Sequence, residues 1–209
     1  QRVPWQESAP HPWLASWLER PVHAPPGPRA LVVGCGVGED VPPLLAHGYQ
    51  VTALDIAPTA IAWARERAVQ RGDGSEGAVT WQVGDLLALG AELTGAFDLV
   101  VEIHTVAWLP GVVRDAAMAA IGGAVAPGGV ALVITELATS DAERAGVEGP
   151  PWPQVPSELA AYRAGGLVRL ALEHPPVDAS ASVEVRITWQ RPTGTPPSGA
   201  PGPSLPVGG

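Results

Sequence analysis

The sequence predicts an α/β fold: a doubly wound sheet, mostly parallel, with an antiparallel C-terminal strand. Three observations carry that expectation. Short apolar runs alternate with helical patterns between residues 30 and 137, which is the rhythm of β-α-β units. The first apolar run passes straight into a glycine loop, "LVVGCGVGED" (31–40), as strands do where α/β proteins receive nucleotides. Two further strand-like segments then follow each other closely enough in sequence to pair antiparallel.

The elements can be justified in order. In "HPWLASWLERP" (11–21), Trp13, Leu14, Trp17 and Leu18 recur at helical spacing, so a short amphipathic helix is expected. "VHAPPGP" is a stiff linker. "ALVVG" (30–34) reads as a strand and "EDVPPLLAHG" (39–48) as a short helix stopped by Gly48. "YQVTALD" (49–55) is a strand, and 58–72 a helix opened by Pro58 and closed by Gly72. Strands follow at 78–85 and 96–103, the second almost continuously apolar, as for the centre of a parallel sheet. A helix over 110–125, an "APGG" turn and a strand over 130–137 come next. A proline-rich stretch (148–156) leads to the helical "SELAAYRAGG", then to strands at 167–175 and 181–190. Three regions result: a helical cap segment (1–28), a main domain (29–191) and a Pro/Gly-rich tail (192–209) with too little to bury, expected to be disordered.

Composition removes several functions. The formal charge is −9 and all twelve basic residues are arginine, with no basic cluster among them. A phosphate-backbone binder needs a basic face, so nucleic acid and acidic membranes are poor partners. Without lysine there is neither a Schiff base nor a phosphate-loop lysine. The lone Cys35 excludes an internal disulfide and a cysteine-cluster metal site. No apolar run approaches the ~20 residues of a membrane span, and the N-terminal residues lack a signal-peptide pattern. A soluble, cytoplasmic monomer or homodimer without a metal is the expectation.

Gly34, Gly36 and Gly38 let the chain turn off the strand and bring bare backbone to a ligand. The dinucleotide fingerprint wants its third glycine where this chain has Glu39. Glu39 and Asp40 would repel a pyrophosphate at the helix start, but not a cationic nucleoside. Asp55 ends the second strand, where a carboxylate can accept both hydrogen bonds of a ribose diol; it also reads as a helix-capping acid. Asp85, after Gly84 at the end of the third strand, is placed for an adenine amino group, or is a turn residue.

This ordered series resembles the class I S-adenosylmethionine-dependent methyltransferases, a Rossmann-like family, over roughly residues 30–137. The resemblance implies S-adenosyl-L-methionine as cofactor. Its amino-acid end would meet Gly34, Cys35, Gly36, Gly38 and Asp40, its ribose Asp55 and Ile56, and its adenine Gly84, Asp85 and Leu86. Glu102 would orient the cofactor's ammonium group, or cap the strand edge. Many members carry an acid two residues before the first glycine, where this chain has Val32. The thiopurine and halide/thiol methyltransferases lack it too. "VPWQESAPHPWL" is similar to their segment over the cofactor, placing Trp5 there, and "GPPWPQVPSELAAYRAGGL" to their lid and helix, with Leu167 in place of a phenylalanine.

Trp5, Trp13, Trp108 and Trp152 would then wall a pocket for a soft, apolar small molecule, with Trp13, Trp108 and Trp152 facing the acceptor. A thiol is the first expectation, since with a pKa near ~8.5 it needs no strong base. An oxygen or nitrogen acceptor on a specialised metabolite would need one, and His104, just past the fourth strand, is the candidate. His11, His23, His47 and His174 read as structural, Trp17 and Trp63 as core, and Arg114 as an ion pair on a helix face. A nicotinamide-dependent oxidoreductase and a non-catalytic binding module on the same fold are the remaining alternatives.

Overall fold

The computed structural model describes residues 9–20, 24–72, 77–174 and 182–194. Trp5, His23 and the tail beyond residue 194 lie outside them. The strands are β1 (Arg29–Val33), β2 (Gln50–Asp55), β3 (Val79–Val83), β4 (Phe97–Ile103), β5 (Val125–Ala138), β6 (Val168–Glu173) and β7 (Ser182–Gln190). They form one sheet in the order β3-β2-β1-β4-β5-β7-β6. Strands β1 to β5 pair in parallel, and β7 runs antiparallel to both neighbours. The order reverses between β1 and β4, the topological switch where α/β sheets open a crevice.

Both faces are covered. Helices α4 (Gly111–Ala124) and α6 (Ala160–Ala164) supply Met118, Ile121 and Tyr162 to a core with Leu31, Val33, Val100 and Trp189. On the other face α1 (Pro12–Leu18), α2 (Val41–Ala46) and α3 (Pro58–Arg71) bring Leu14, Trp17, Leu44 and Ile61 against Val32, Leu99 and Ile134. Strands β1 and β4 therefore spend successive side chains on opposite apolar cores, which explains their unbroken hydrophobic runs. Burying Leu14 and Trp17 stabilises the docked α1 by roughly 2–3 kcal/mol per side chain. A short helix, α5 (Asp141–Ala145), was not legible in the sequence; Ser140 caps it by accepting from the Glu143 N–H.

The antiparallel C-terminal strand is β7, which inserts between β5 and β6 and leaves β6 outermost. Two expectations need correction. "APGG" does not precede the fifth strand but bulges within it, because Val125 already pairs with Phe97 before Val130 pairs with Leu99. Trp63 is not core: it is 40% exposed on α3, whose inward positions are Ile61, Ala64 and Ala68. Among the described residues no helix is long and apolar enough to cross a membrane.

Candidate active site

The glycine loop leaves β1 at the switch point. Gly34 and Gly38 take left-handed backbone, with φ of 61° and 79°. A Cβ on Gly34 would collide with Thr105, whose hydroxyl donates to the Val33 carbonyl. One on Gly38 would lie 2.6 Å from the Trp81 ring. Glycine is thus demanded there by close packing as well as by backbone angle. Beside Gly36 there is open space instead. Cys35 gives its N–H to Leu54 O, and burial, with the nearby charge of Asp55, pushes its thiol far above the usual range. It is a packed thiol and no nucleophile. Glu39 pairs with Arg67, and Asp40 Oδ1 accepts the His11 N–H at 2.8 Å.

Asp55 ends β2 as expected, whereas Asp85 lies two residues beyond β3 and caps a short 3-10 turn at 86–88. Asp55 accepts the Gly36 N–H at Oδ2 (2.8 Å) and the Ala57 N–H at Oδ1 (2.9 Å), tying the loop to the start of α3. An ionised carboxylate has lone pairs left for further donors. Asp85 is exposed and accepts the Leu87 N–H at 2.8 Å. Each acid therefore also does the local job of its capping or turn reading. Between them, Ile56 is 69% exposed at the strand edge, Gly84 donates its N–H to Asp55 O, and Leu86 packs on the core.

Glu102, the last buried residue of β4, is fully enclosed. Burial pushes its pKa to about 7, against the Val106 N–H bond to Oε1 and the attraction of His104. Its Oε2 has no partner among the described residues. An orphaned carboxylate oxygen and the open space at Gly36 both suit a ligand bearing a cationic amine.

His104 follows β4 with φ 56°, the one non-glycine residue in left-handed backbone among the described residues. That conformation costs on the order of 1 kcal/mol, and the His104 N–H bond to Ile134 O holds it. Nε2 lies 3.1 Å from Glu184 Oε1, and His11 Nε2 lies 3.2 Å from the same oxygen. The hydrogen bonds from His104 and then His11 hold the Glu184 carboxyl down to about 2. For His104, burial opposes the charged ring. The Glu184 hydrogen bond and the charges of Glu102, Glu184 and Glu136 together outweigh it, so its pKa is raised. His11, read as merely structural, and Glu184, not singled out at all, thus meet the predicted base. The missed signal lay in β7: three polar residues, Glu184, Arg186 and Thr188, alternate through a strand covered on both faces.

The tryptophans divide. Trp108 and Trp152 are half-buried near each other, Trp152 donating its N–H to Ala107 O. The Trp13 ring lies instead under the Arg186 guanidinium, 5.3 Å away. Arg114 is buried, paired with Glu158 at 3.2 Å and donating to Trp152 O and Pro153 O. It clamps the proline-rich segment to α4, in keeping with the ion-pair reading. A cleft of about 280 Å³ opens beside it, lined by Gly111, Arg144, Ala145, Val147 and Trp152.

Residues 31–131 match the methyltransferase domain family Methyltransf_12. A ubiquinone biosynthesis O-methyltransferase of Xanthomonas axonopodis pv. citri is 33% identical over 102 residues, 42% of this chain and 41% of that protein. The chain thus spans about two fifths of the length of the curated relatives it matches. Among solved structures, one from work on the conversion of a disulfide bond into a thioacetal group during echinomycin biosynthesis superposes with TM-score 0.69. It is 25% identical, with 94% of this chain and 87% of that one covered. A TehB-like SAM-dependent methyltransferase from Corynebacterium glutamicum superposes with TM-score 0.63 at 22% identity, covering 85% and 86%. The chain is therefore similar to methyltransferase domains over residues 31–131 and shares the fold of class I S-adenosylmethionine-dependent methyltransferases.

Proposed function

We propose that the chain transfers a methyl group from S-adenosylmethionine to a small-molecule acceptor, with an O–H acceptor first and His104 as its base. The observation that carries this reading is His104: a strained histidine at the C-terminal end of β4, hydrogen-bonded to an ionised carboxylate. A thiol acceptor has no need of such a group, whereas a hydroxyl must lose its proton as it reacts. The similarity to an O-methyltransferase over part of the chain supports the same choice.

When bound, the cofactor supplies a methyl group on a sulfonium centre. The glycine loop would face its amino-acid end, Glu102 Oε2 its ammonium, Asp55 the ribose and Asp85 the adenine. Acidic side chains at 40, 55 and 85 suit a cation and disfavour a pyrophosphate. The protein's remaining task is to align the acceptor and exclude water. Trp108 and Trp152 serve as acceptor walls, with the neighbouring cleft as the way in.

A sulfur acceptor is the second reading. It rests on the similarity to the structure from the disulfide-to-thioacetal work and on the N-terminal and lid segments that resemble thiopurine and halide/thiol methyltransferases.

Two variants test the assignment. Asp55→Ala should weaken S-adenosylhomocysteine binding tenfold or more by calorimetry; an unchanged affinity removes the ribose role. His104→Ala should lower turnover by roughly 10²–10⁴-fold with hydroxyl acceptors while cofactor affinity holds. Full activity with thiols alone would select the second reading. Thermal stabilisation by NAD or NADP, and not by S-adenosylhomocysteine, would reverse the cofactor assignment.

A further inference from the structure

The three alternate polar residues of β7 all reach α1 or the residue that caps it. Thr188 Oγ1 accepts the Trp17 Nε1–H at 3.3 Å. Arg186 donates to Trp13 O and Ser16 Oγ, both at 2.9 Å. Glu184 accepts from His11. The first two explain why α1 docks. The third joins α1 to His104, and it has a consequence for which ring nitrogen carries the proton.

Glu184 is ionised and can only accept. Both imidazoles therefore present N–H at Nε2 to Oε1. His11 is independently constrained, because its Nδ1 accepts the Trp13 N–H at 3.3 Å and so carries no proton. With the Nε2–H of His104 committed to Glu184, its Nδ1 is the basic lone pair, and Nδ1 takes no hydrogen bond among the described residues. His11 also donates its backbone N–H to Asp40 at the end of the glycine loop. One residue thus touches the loop, α1 and the carboxylate behind the base.

Two histidines and a carboxylate whose ligand atoms lie within 4.8 Å of one another would also suit a divalent metal. A ligand nitrogen must offer a lone pair, however, and His11 Nε2 offers a proton while Nδ1 is occupied by the helix cap. The observed bonding favours a proton-holding triad.

We infer that Glu184 and His11 are positioning residues for the base: Glu184 holds His104 in the tautomer that opens Nδ1 to the acceptor, and His11 makes that arrangement depend on α1 being docked over the glycine loop. The inference rests on His104 being the base. In the step it serves, the acceptor's proton passes to Nδ1 and its electron pair stays on oxygen. The resulting imidazolium is paired with Glu184. Glu102 from β4, Glu136 from β5 and Glu184 from β7 set the ring's titration, and the ring of His11, the cap of α1, stands beside it with centroids 5.8 Å apart.

Imidazole nitrogen NMR of the full chain tests this without relying on turnover. The wild type should show His104 protonated at Nε2 when neutral, and His11 likewise. In Glu184→Gln the His104 midpoint should fall by about one pH unit and its tautomers should mix. The acidic limb of the pH–rate profile should move down with it, and turnover should drop roughly tenfold. His11→Ala should produce the same mixing to a smaller degree. A wild-type His104 protonated at Nδ1, or a Glu184→Gln tautomer and midpoint unchanged, overturns the inference. So does stoichiometric Zn²⁺ binding by calorimetry that Glu184→Gln abolishes. Undiminished turnover in His104→Ala, alongside an intact tautomer effect in Glu184→Gln, would instead remove the base reading.

Discussion

The two ends of the sheet's C-terminal edge are built by different means. Over β1 to β3, the candidate cofactor residues are strand-end or loop groups held by backbone bonds: Gly36 to Asp55, Ala57 to Asp55, Leu87 to Asp85. In these three bonds the partners are at most 19 positions apart. Over β4 to β7, the chemistry is assembled from side chains 80 and 173 positions apart that meet on one carboxylate oxygen. The first region is a motif and the second a convergence. A motif tolerates little change in shape, while a convergence depends on the charge and tautomer of its members.

That contrast can be pressed by mutation. Gly38→Ala attacks shape. The added Cβ meets the Trp81 ring at 2.6 Å in left-handed backbone, so unfolding free energy should fall by roughly 2–5 kcal/mol in a denaturant titration. A loss below 1 kcal/mol would mean the loop is more compliant than its packing implies.

Glu102→Gln attacks charge. The folded pKa of about 7 lies above the ordinary value of 4.5, so the ionised form is disfavoured in the fold. The wild type should lose about 3 kcal/mol as pH rises from 4.5 through 7, and the variant should not. Melting curves at pH 5 and pH 8 measure the difference. Cofactor affinity should move the other way, falling in Glu102→Gln if Oε2 meets the ammonium. Equal pH dependence in both proteins would place the carboxyl in a wetter environment than its complete burial indicates.

Trp13→Leu is the smallest perturbation. It removes a ring under Arg186, worth about 1 kcal/mol, and should leave turnover within about twofold. A larger loss of turnover with the acceptor's KM raised would return Trp13 to the acceptor wall.

Much of the fold was legible because it is local. Apolar runs, glycine stops and proline starts give β1 through α4 nearly residue by residue, since each records a backbone requirement of its own position. The place of β7 was not legible. Adjacency in sequence suggested a hairpin with β6, which is present, but insertion beside β5 is a contest between strand edges that no local pattern records. Trp63 shows the same limit from the other side: Pro58 and Gly72 bounded α3 but did not establish which of its residues face the core.

The candidate site divides in the same way. The glycine loop, Asp55, Asp85 and the candidate His104 follow from residue type at a strand end, because turning, capping and proton transfer are properties of single groups in local backbone. Glu184 and His11 looked ordinary until folding brought β7 and α1 to His104. Which nitrogen of a histidine holds its proton depends on what stands opposite it, and for this chain that neighbour comes from the far end of the polypeptide. Only the tertiary structure decides it.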